Sequence, residues 1–182
     1  MAHDIITRKC LDDAYCGGGV IVWGMGGCGK SETIYAIQTT LSRAGVKLFT
    51  TSTTILAANH IGRMTIHSLL RLLLGSVFNV LSGTVLSNLQ SMFAGCKCLI
   101  IDEFSMLSAS ELCYVDRRLR QIMCRDVEFG GICVGLFGDP GQLLPVKGFP
   151  LWYVPTGNPN LTKYLSELFG KTLFDSVQDV VH

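Results

Sequence analysis

Eight residues near the start of the chain, Gly24-Met25-Gly26-Gly27-Cys28-Gly29-Lys30-Ser31, fill every fixed position of the pattern G-x-x-x-x-G-K-[ST]. The chemistry of that spacing is capture of a polyphosphate. Backbone N–H groups must all turn toward the ligand, and only residues poor in side chain let the chain curl so tightly, so glycines dominate. The positive end of the following helix adds to the pull. Lys30 is placed to reach the β and γ phosphates and Ser31 to ligate magnesium. Farther along, Asp102-Glu103 closes the apolar run Cys98-Leu99-Ile100-Ile101. In a phosphate-loop fold the magnesium needs a carboxylate opposite the loop, which Asp102 supplies, and Glu103 beside it can orient the attacking water. A third polar group, Gly138-Asp139-Pro140-Gly141-Gln142, ends another apolar run, Ile132 to Phe137.

These groups need elements to carry them. Gly19-Val20-Ile21-Val22-Trp23 ahead of the loop reads as a buried strand, and Ile34, Ile37 and Leu41 behind it share one helical face. Gly45 is placed as a helix C-terminal cap, and Val46 to Thr50 reads as a second strand, completing a βαβ unit. The hydroxyls of Thr51-Ser52-Thr53-Thr54 follow at that strand's carboxyl end, where ligands of open α/β sheets bind, and lead into a helical turn or two at Ile55 to Ala58. Thr65 to Leu72 starts an amphipathic helix. Ser108-Ala109-Ser110-Glu111 is a capping box opening a helix from about Ala109 to Cys124, with Leu112, Val115, Leu119, Ile122 and Met123 at helical spacing. Arg117, Arg118, Arg120 and Arg125 decorate that helix as a solvated face, with a phosphate-backbone contact as the other reading. Leu161, Leu165 and Leu168 carry one helical pattern near the end.

Bulk properties narrow the class. A chain of 182 residues fits one domain with a substantial core, and a formal charge of +1 argues against a binder driven overwhelmingly by net charge. The eight cysteines read as reduced and intracellular, because Met1-Ala2-His3-Asp4 begins no apolar signal segment and Cys28 sits inside the phosphate loop. Cys96-Lys97-Cys98 lacks a second close pair at zinc spacing. The most apolar stretch, Leu69 to Leu81, is broken by Arg71, Gly75 and Asn79 and falls short of a membrane span. The expected architecture is α/β: a parallel sheet of the phosphate-loop NTPase (RecA-like) type, flanked by helices, in a single domain.

The segments after the phosphate loop resemble one family. Leu99-Ile100-Ile101-Asp102-Glu103-Phe104-Ser105-Met106 resembles the D-E-x-S-M signature of the petite-integration-frequency (PIF) DNA helicases, a branch of superfamily one. Gly138 to Val146 is similar to that family's G-D-x-x-Q-L-x-P-V motif, and Gly62 to Ser68 to its G-x-T-I-H-S segment. The resemblance divides the chain into a lead-in segment (1–16) that packs on the domain edge, a first motor domain (17–148), and a loop excursion with a truncated C-terminal segment (149–182). It implies a motor ATPase that hydrolyses magnesium ATP and moves along single-stranded DNA 5′ to 3′ in genome maintenance, including repair and recombination. It also implies a monomeric intracellular protein, nuclear in a eukaryote, with no membrane partner.

Carried across by motif, Gly24 to Ser31 hold the phosphates, Ser31 and Asp102 the magnesium, and Glu103 the hydrolytic water, while Gln142 senses the γ phosphate. Thr53 and Thr54, then His67 and Ser68, fall in segments resembling the family's DNA-contacting stretches, where hydroxyls would bond phosphate oxygens. Read alone, Thr53 and Thr54 equally suit a helix cap, and His67 a local hydrogen bond at a helix start. The chain departs from the family where Thr51 to Ala58 stands in place of T-A-P-T-G-x-A-A, and it carries no glutamine ahead of Gln38 to grip adenine. The family's second motor domain, which contributes an arginine to the γ phosphate, is expected beyond this chain. The rival readings are another superfamily-one helicase of the RecD-like group, and a nucleotide-dependent binding module without motor activity.

Overall fold

The fold is an open sheet of six parallel strands in a computed structural model that describes residues 1–54, 64–73, 77–157, 161–177 and 179–181. In chain order the elements are helix α1 (Ala2–Leu11), strand β1 (Gly18–Trp23), α2 (Lys30–Arg43), β2 (Lys47–Ser52), β3 (Met64–Thr65), α3 (Ile66–Leu70) and α4 (Gly83–Phe93). Then come β4 (Cys96–Asp102), a 3-10 turn (Phe104–Met106), α5 (Ala109–Met123), a second 3-10 turn (Glu128–Gly131), β5 (Cys133–Gly138), α6 (Thr162–Asp175) and β6 (Asp179–Val181). The strand order is β3-β2-β4-β5-β1-β6, and the helical turns expected at Ile55 to Ala58 lie outside the described residues.

The apolar strands are continuous because both faces are covered, and their side chains sort by parity. Val20, Val22, Cys98, Ile100, Cys133 and Phe137 face α1 and α2, where Ile6, Ile34, Ile37 and Leu41 complete one core. Ile21, Leu99, Ile101, Val134 and Leu136 face the other way, into the core shared with α3 to α6. The register sets the height of the strand tips. Trp23 pairs with Gly138, Phe137 with Asp102, and Asp102 with Ser52, so β1, β2, β4 and β5 all end along one edge. That edge is where the topology delivers polar residues.

Two helix ends match their sequence signals. Ser108 Oγ accepts from Glu111 N while Glu111 Oε2 accepts from Ser108 N, the reciprocal pair of a capping box, and Gly45 follows α2 with φ 72°. Elsewhere the structure corrects the sequence. Residues 2–11, without a clear period in the sequence, form α1, which buries Ala2, Ile6 and Cys10 at four-residue spacing. In α6 the leucine stripe points outward: Leu161, Leu165 and Leu168 are exposed, and Ser166, Glu167, Gly170, Leu173 and Phe174 are buried. The cause is close approach to α5, since a Cβ on Gly170 would lie 1.7 Å from the Ala109 carbonyl oxygen. Only the face that carries Gly170 lets the helices come so close.

Arg118 departs from the expected solvated face. It is fully buried, and its guanidinium donates to the carbonyls of Leu70 and Asn79 and to Gln121 Oε1. Arg120 is held by Asp116 and Asp126, and Arg117 lies 4.4 Å from the Phe78 ring centre. No helix among the described residues is long and apolar enough to cross a membrane.

Candidate nucleotide site at the strand tips

The loop between β1 and α2 is built as its sequence requires. Gly29 caps α2 in the left-handed region at φ 89°, which an L side chain would resist, and a Cβ on Gly24 would lie 2.2 Å from Cys28 Sγ. Gly24 N donates to the Gly138 carbonyl at 3.2 Å, tying the loop's start to the tip of β5. Met25, Gly26, Gly27 and Cys28 are exposed at the crest, where their amides can meet a ligand. Lys30 Nζ folds back over the loop and donates to the carbonyls of Gly24 and Met25 at 2.5 and 3.0 Å. Ser31, exposed in the first turn of α2, stands beside it.

The other two strand tips face this loop. Asp102 is largely buried at the end of β4, and one of its carboxylate oxygens accepts from Glu103 N at 3.0 Å. Burial raises the Glu103 pKa above its ordinary value. The charges of Asp102 and Asp139 push the same way and the Lys30 ammonium pulls it back, so all four groups share one electrostatic neighbourhood. From β5, Asp139 accepts from Gly141 N at 2.9 Å and from Gln142 Nε2 at 3.3 Å, which orients the glutamine. Gln142 Nε2 lies 3.7 Å from where a Cβ on Gly26 would sit, which places it against the phosphate loop. Lys30, Asp102, Glu103 and Gln142 therefore share one end of the sheet.

Glu103 is held in an uncommon conformation. Its backbone is left-handed, φ 57° and ψ 44°, a state that costs a non-glycine residue about 1–2 kcal/mol. Its carbonyl accepts from Thr53 Oγ1 at 3.0 Å and from Met106 N at 3.1 Å. The next residue, Phe104, is fully buried, with Trp152 edge-on to its ring and Phe174 tilted against it. Residues beyond 148 thus brace the turn that presents Glu103.

The four residues of the DNA-resembling segments sit along the same edge and are partly engaged within the protein. The Thr53 hydroxyl gives its one hydrogen to Glu103, and Thr54 N donates to Ser52 Oγ at 3.4 Å. Ser68 N donates to the Thr65 hydroxyl that caps α3. His67 Nε2 lies 3.0 Å from Glu111 Oε1, and since a carboxylate only accepts, that nitrogen carries the hydrogen. Gln38 donates to Thr50 Oγ1 on β2 at 2.9 Å.

Asp139 is the site residue that residue-by-residue reading missed. Its place next to Gln142 in the G-D-x-x-Q pattern was the available signal. A hydroxyl at the start of α2 and a buried carboxylate across from it are hard oxygen donors, the set that suits magnesium shared with phosphate oxygens. Among the described residues no three histidines, cysteines or acids gather closely enough to hold a metal by themselves.

Comparison with known proteins places these features in a wider set. The family model for PIF1-like helicase matches residues 4–150. The ATP-dependent DNA helicase Pif1 of Psychrobacter sp. (strain PRwf-1) is 34% identical over 142 residues, 75% of this chain and 21% of that protein. Among solved structures, Pif1 helicase from Bacteroides in complex with ADP-AlF3 and ssDNA aligns with a TM-score of 0.70 at 26% identity, covering 98% of this chain and 40% of that one. Bacteroides sp Pif1 in complex with ADP-AlF4 aligns at 0.65 and 30% identity, covering 80% and 33%. The chain therefore spans about a fifth of the length of the curated relative it matches.

Proposed function

Because this chain belongs to the PIF1-like helicases, we propose that it is the nucleotide-binding motor domain of an ATP-dependent DNA helicase, coupling magnesium ATP hydrolysis to movement on single-stranded DNA. The observation that carries this reading is the convergence of the Lys30 loop, Asp102-Glu103 and Gln142 at one sheet edge. The relatives solved with ADP-AlF4, and with ADP-AlF3 and ssDNA, support it.

In this mechanism the amides of Gly26 to Lys30 and the Lys30 ammonium bind the phosphates. Lys30 leaves the carbonyls of Gly24 and Met25 to do so, exchanging two neutral acceptors for charged ones. Ser31 and Asp102 would hold magnesium, which neutralises charge on the terminal phosphates when bound. Glu103 then orients a water and takes its proton. A carboxylate raised toward neutrality by burial and by the neighbouring acids is a better base than a free one. Gln142, held by Asp139, touches the terminal phosphate and reports its presence to the strand tips that carry Thr53 and His67.

Family members supply an arginine to the γ phosphate from a second motor domain, and such a residue is worth about three to five orders of magnitude in rate in related enzymes. Steady-state ATPase with and without single-stranded DNA tests the reading. DNA-stimulated turnover that Lys30→Ala abolishes supports the motor. Nucleotide binding with no turnover under any DNA condition favours a nucleotide-dependent binding module instead.

A further inference from the structure

The DNA-resembling end of β2 is joined to the site through Thr53, by its backbone N–H and its hydroxyl. Thr53 follows directly on β2, whose last residue, Ser52, pairs in register with Asp102. Thr53 N donates to the Asp102 carbonyl at 3.3 Å and Thr53 Oγ1 to the Glu103 carbonyl at 3.0 Å. Both peptide groups flanking the strained Glu103 backbone are therefore gripped, the first by Thr53 N and the Asp102 carboxylate, the second by Thr53 Oγ1 and Met106 N. A left-handed glutamate persists only where its surroundings over-determine it.

We propose that Thr53 is a positioning residue for Glu103, its hydroxyl holding the left-handed peptide that aims the water-activating carboxylate at the terminal phosphate. The inference rests on the nucleotide reading above and deepens it. A hydroxyl has one hydrogen, and here the Glu103 carbonyl takes it; toward a DNA phosphate the same oxygen offers only lone pairs, which a phosphate repels. Thr53 thus acts on hydrolysis from within the protein.

The test separates Thr53→Val, which keeps the shape and loses the hydrogen, from Thr53→Ser, which keeps the hydrogen. The readout is the ratio of affinities for magnesium ADP with and without aluminium fluoride, because the fluoride complex mimics the terminal phosphate under attack and needs the positioned water. Thr53→Val is expected to lower that ratio about fivefold to tenfold, the scale of one hydrogen bond. Its ADP affinity should stay within about twofold of the parent chain, and its affinity for a single-stranded oligonucleotide likewise, a factor below one hydrogen bond. Thr53→Ser should restore the ratio. In a Glu103→Gln background, Thr53→Val should add nothing, since both changes act at one point. An unchanged ratio, an equal loss of plain ADP binding, or a loss confined to DNA affinity overturns the assignment while leaving the nucleotide site intact. A parent chain that binds no ADP overturns the nucleotide reading itself and this one with it. Should Thr53→Val prove unstable, Thr53→Ala carries the same comparison.

Discussion

The Lys30 ammonium lies 2.5 Å from the carbonyl oxygen of Gly24, the first residue of its own loop. The two positions that define the phosphate-loop pattern are thereby bonded to each other across the turn. The charge that a phosphate will claim holds the loop in its curled form meanwhile.

Replacing Lys30 with alanine removes a charge-assisted bond to phosphate worth about 1.5–3 kcal/mol, so ATP affinity should fall by roughly ten- to a hundredfold. Titration with a fluorescent ATP analogue measures it directly. The thermal midpoint without nucleotide should move little, because the lost bonds stay within one surface loop, the Met25 one exposed and the Gly24 one part-buried.

Gln142→Ala should leave nucleotide affinity within about threefold, less than one hydrogen bond's worth, while uncoupling hydrolysis from DNA. The amide end of the side chain lies against the loop and is held by Asp139. ATPase rates at saturating nucleotide, compared with and without single-stranded DNA, report the coupling. A DNA response equal to that of the parent chain would count against the sensing role.

The acid limb of turnover should follow Glu103. Burial first, and then the Asp102 and Asp139 carboxylates, lift its pKa above 4.5, with Lys30 opposing. Only the ionised form can take a proton from water, so turnover should rise with pH as the Glu103 carboxyl loses its proton. Glu103→Gln should remove the limb and cut turnover about a hundredfold or more, the usual scale for a lost general base.

Glu111 carries the opposite shift. Its burial works to raise the pKa, yet hydrogen bonds from His67 and Ser108 outweigh burial and bring it below 4.5. Its contribution to stability is therefore complete above pH 4.5 and is lost as pH falls through the lower folded value. Glu111→Gln should cost about 1–2 kcal/mol at neutral pH in urea unfolding, and the difference from the parent chain should shrink in acid.

Gly170→Ala tests the packing behind the site. Its methyl group would sit 1.7 Å from the Ala109 carbonyl oxygen, so α6 must lift from α5 and loosen Phe174 against Phe104. A loss of about 3 kcal/mol is expected, at the upper end of overpacking effects. Leu165→Ala, on the exposed face, should cost under about 0.5 kcal/mol.

What the sequence showed plainly is what is encoded locally. The phosphate loop, the apolar strands that end at Asp102 and Gly138, and the Ser108 capping box each lie within a few consecutive residues. Features that depend on distant neighbours were not legible. The leucines near the end show a helix but not which of its faces is inward, which Ala109 on α5 decides. Arg118 looks solvated until the carbonyls of Leu70 and Asn79 are seen around it. The bond from Thr53 to Glu103 joins residues fifty positions apart, brought together only by the register of β2 with β4.

The central claim is that one sheet edge holds a magnesium nucleotide between the Lys30 loop and Asp102. Calorimetric titration of ATP into the chain, in magnesium and again after chelation with EDTA, tests it most directly, with Lys30→Ala and Asp102→Ala alongside. The account predicts saturable binding that weakens on chelation, weakens by roughly ten- to a hundredfold in Lys30→Ala, and becomes insensitive to magnesium in Asp102→Ala. Binding that ignores both magnesium and Asp102, or no binding in the parent chain, would contradict it.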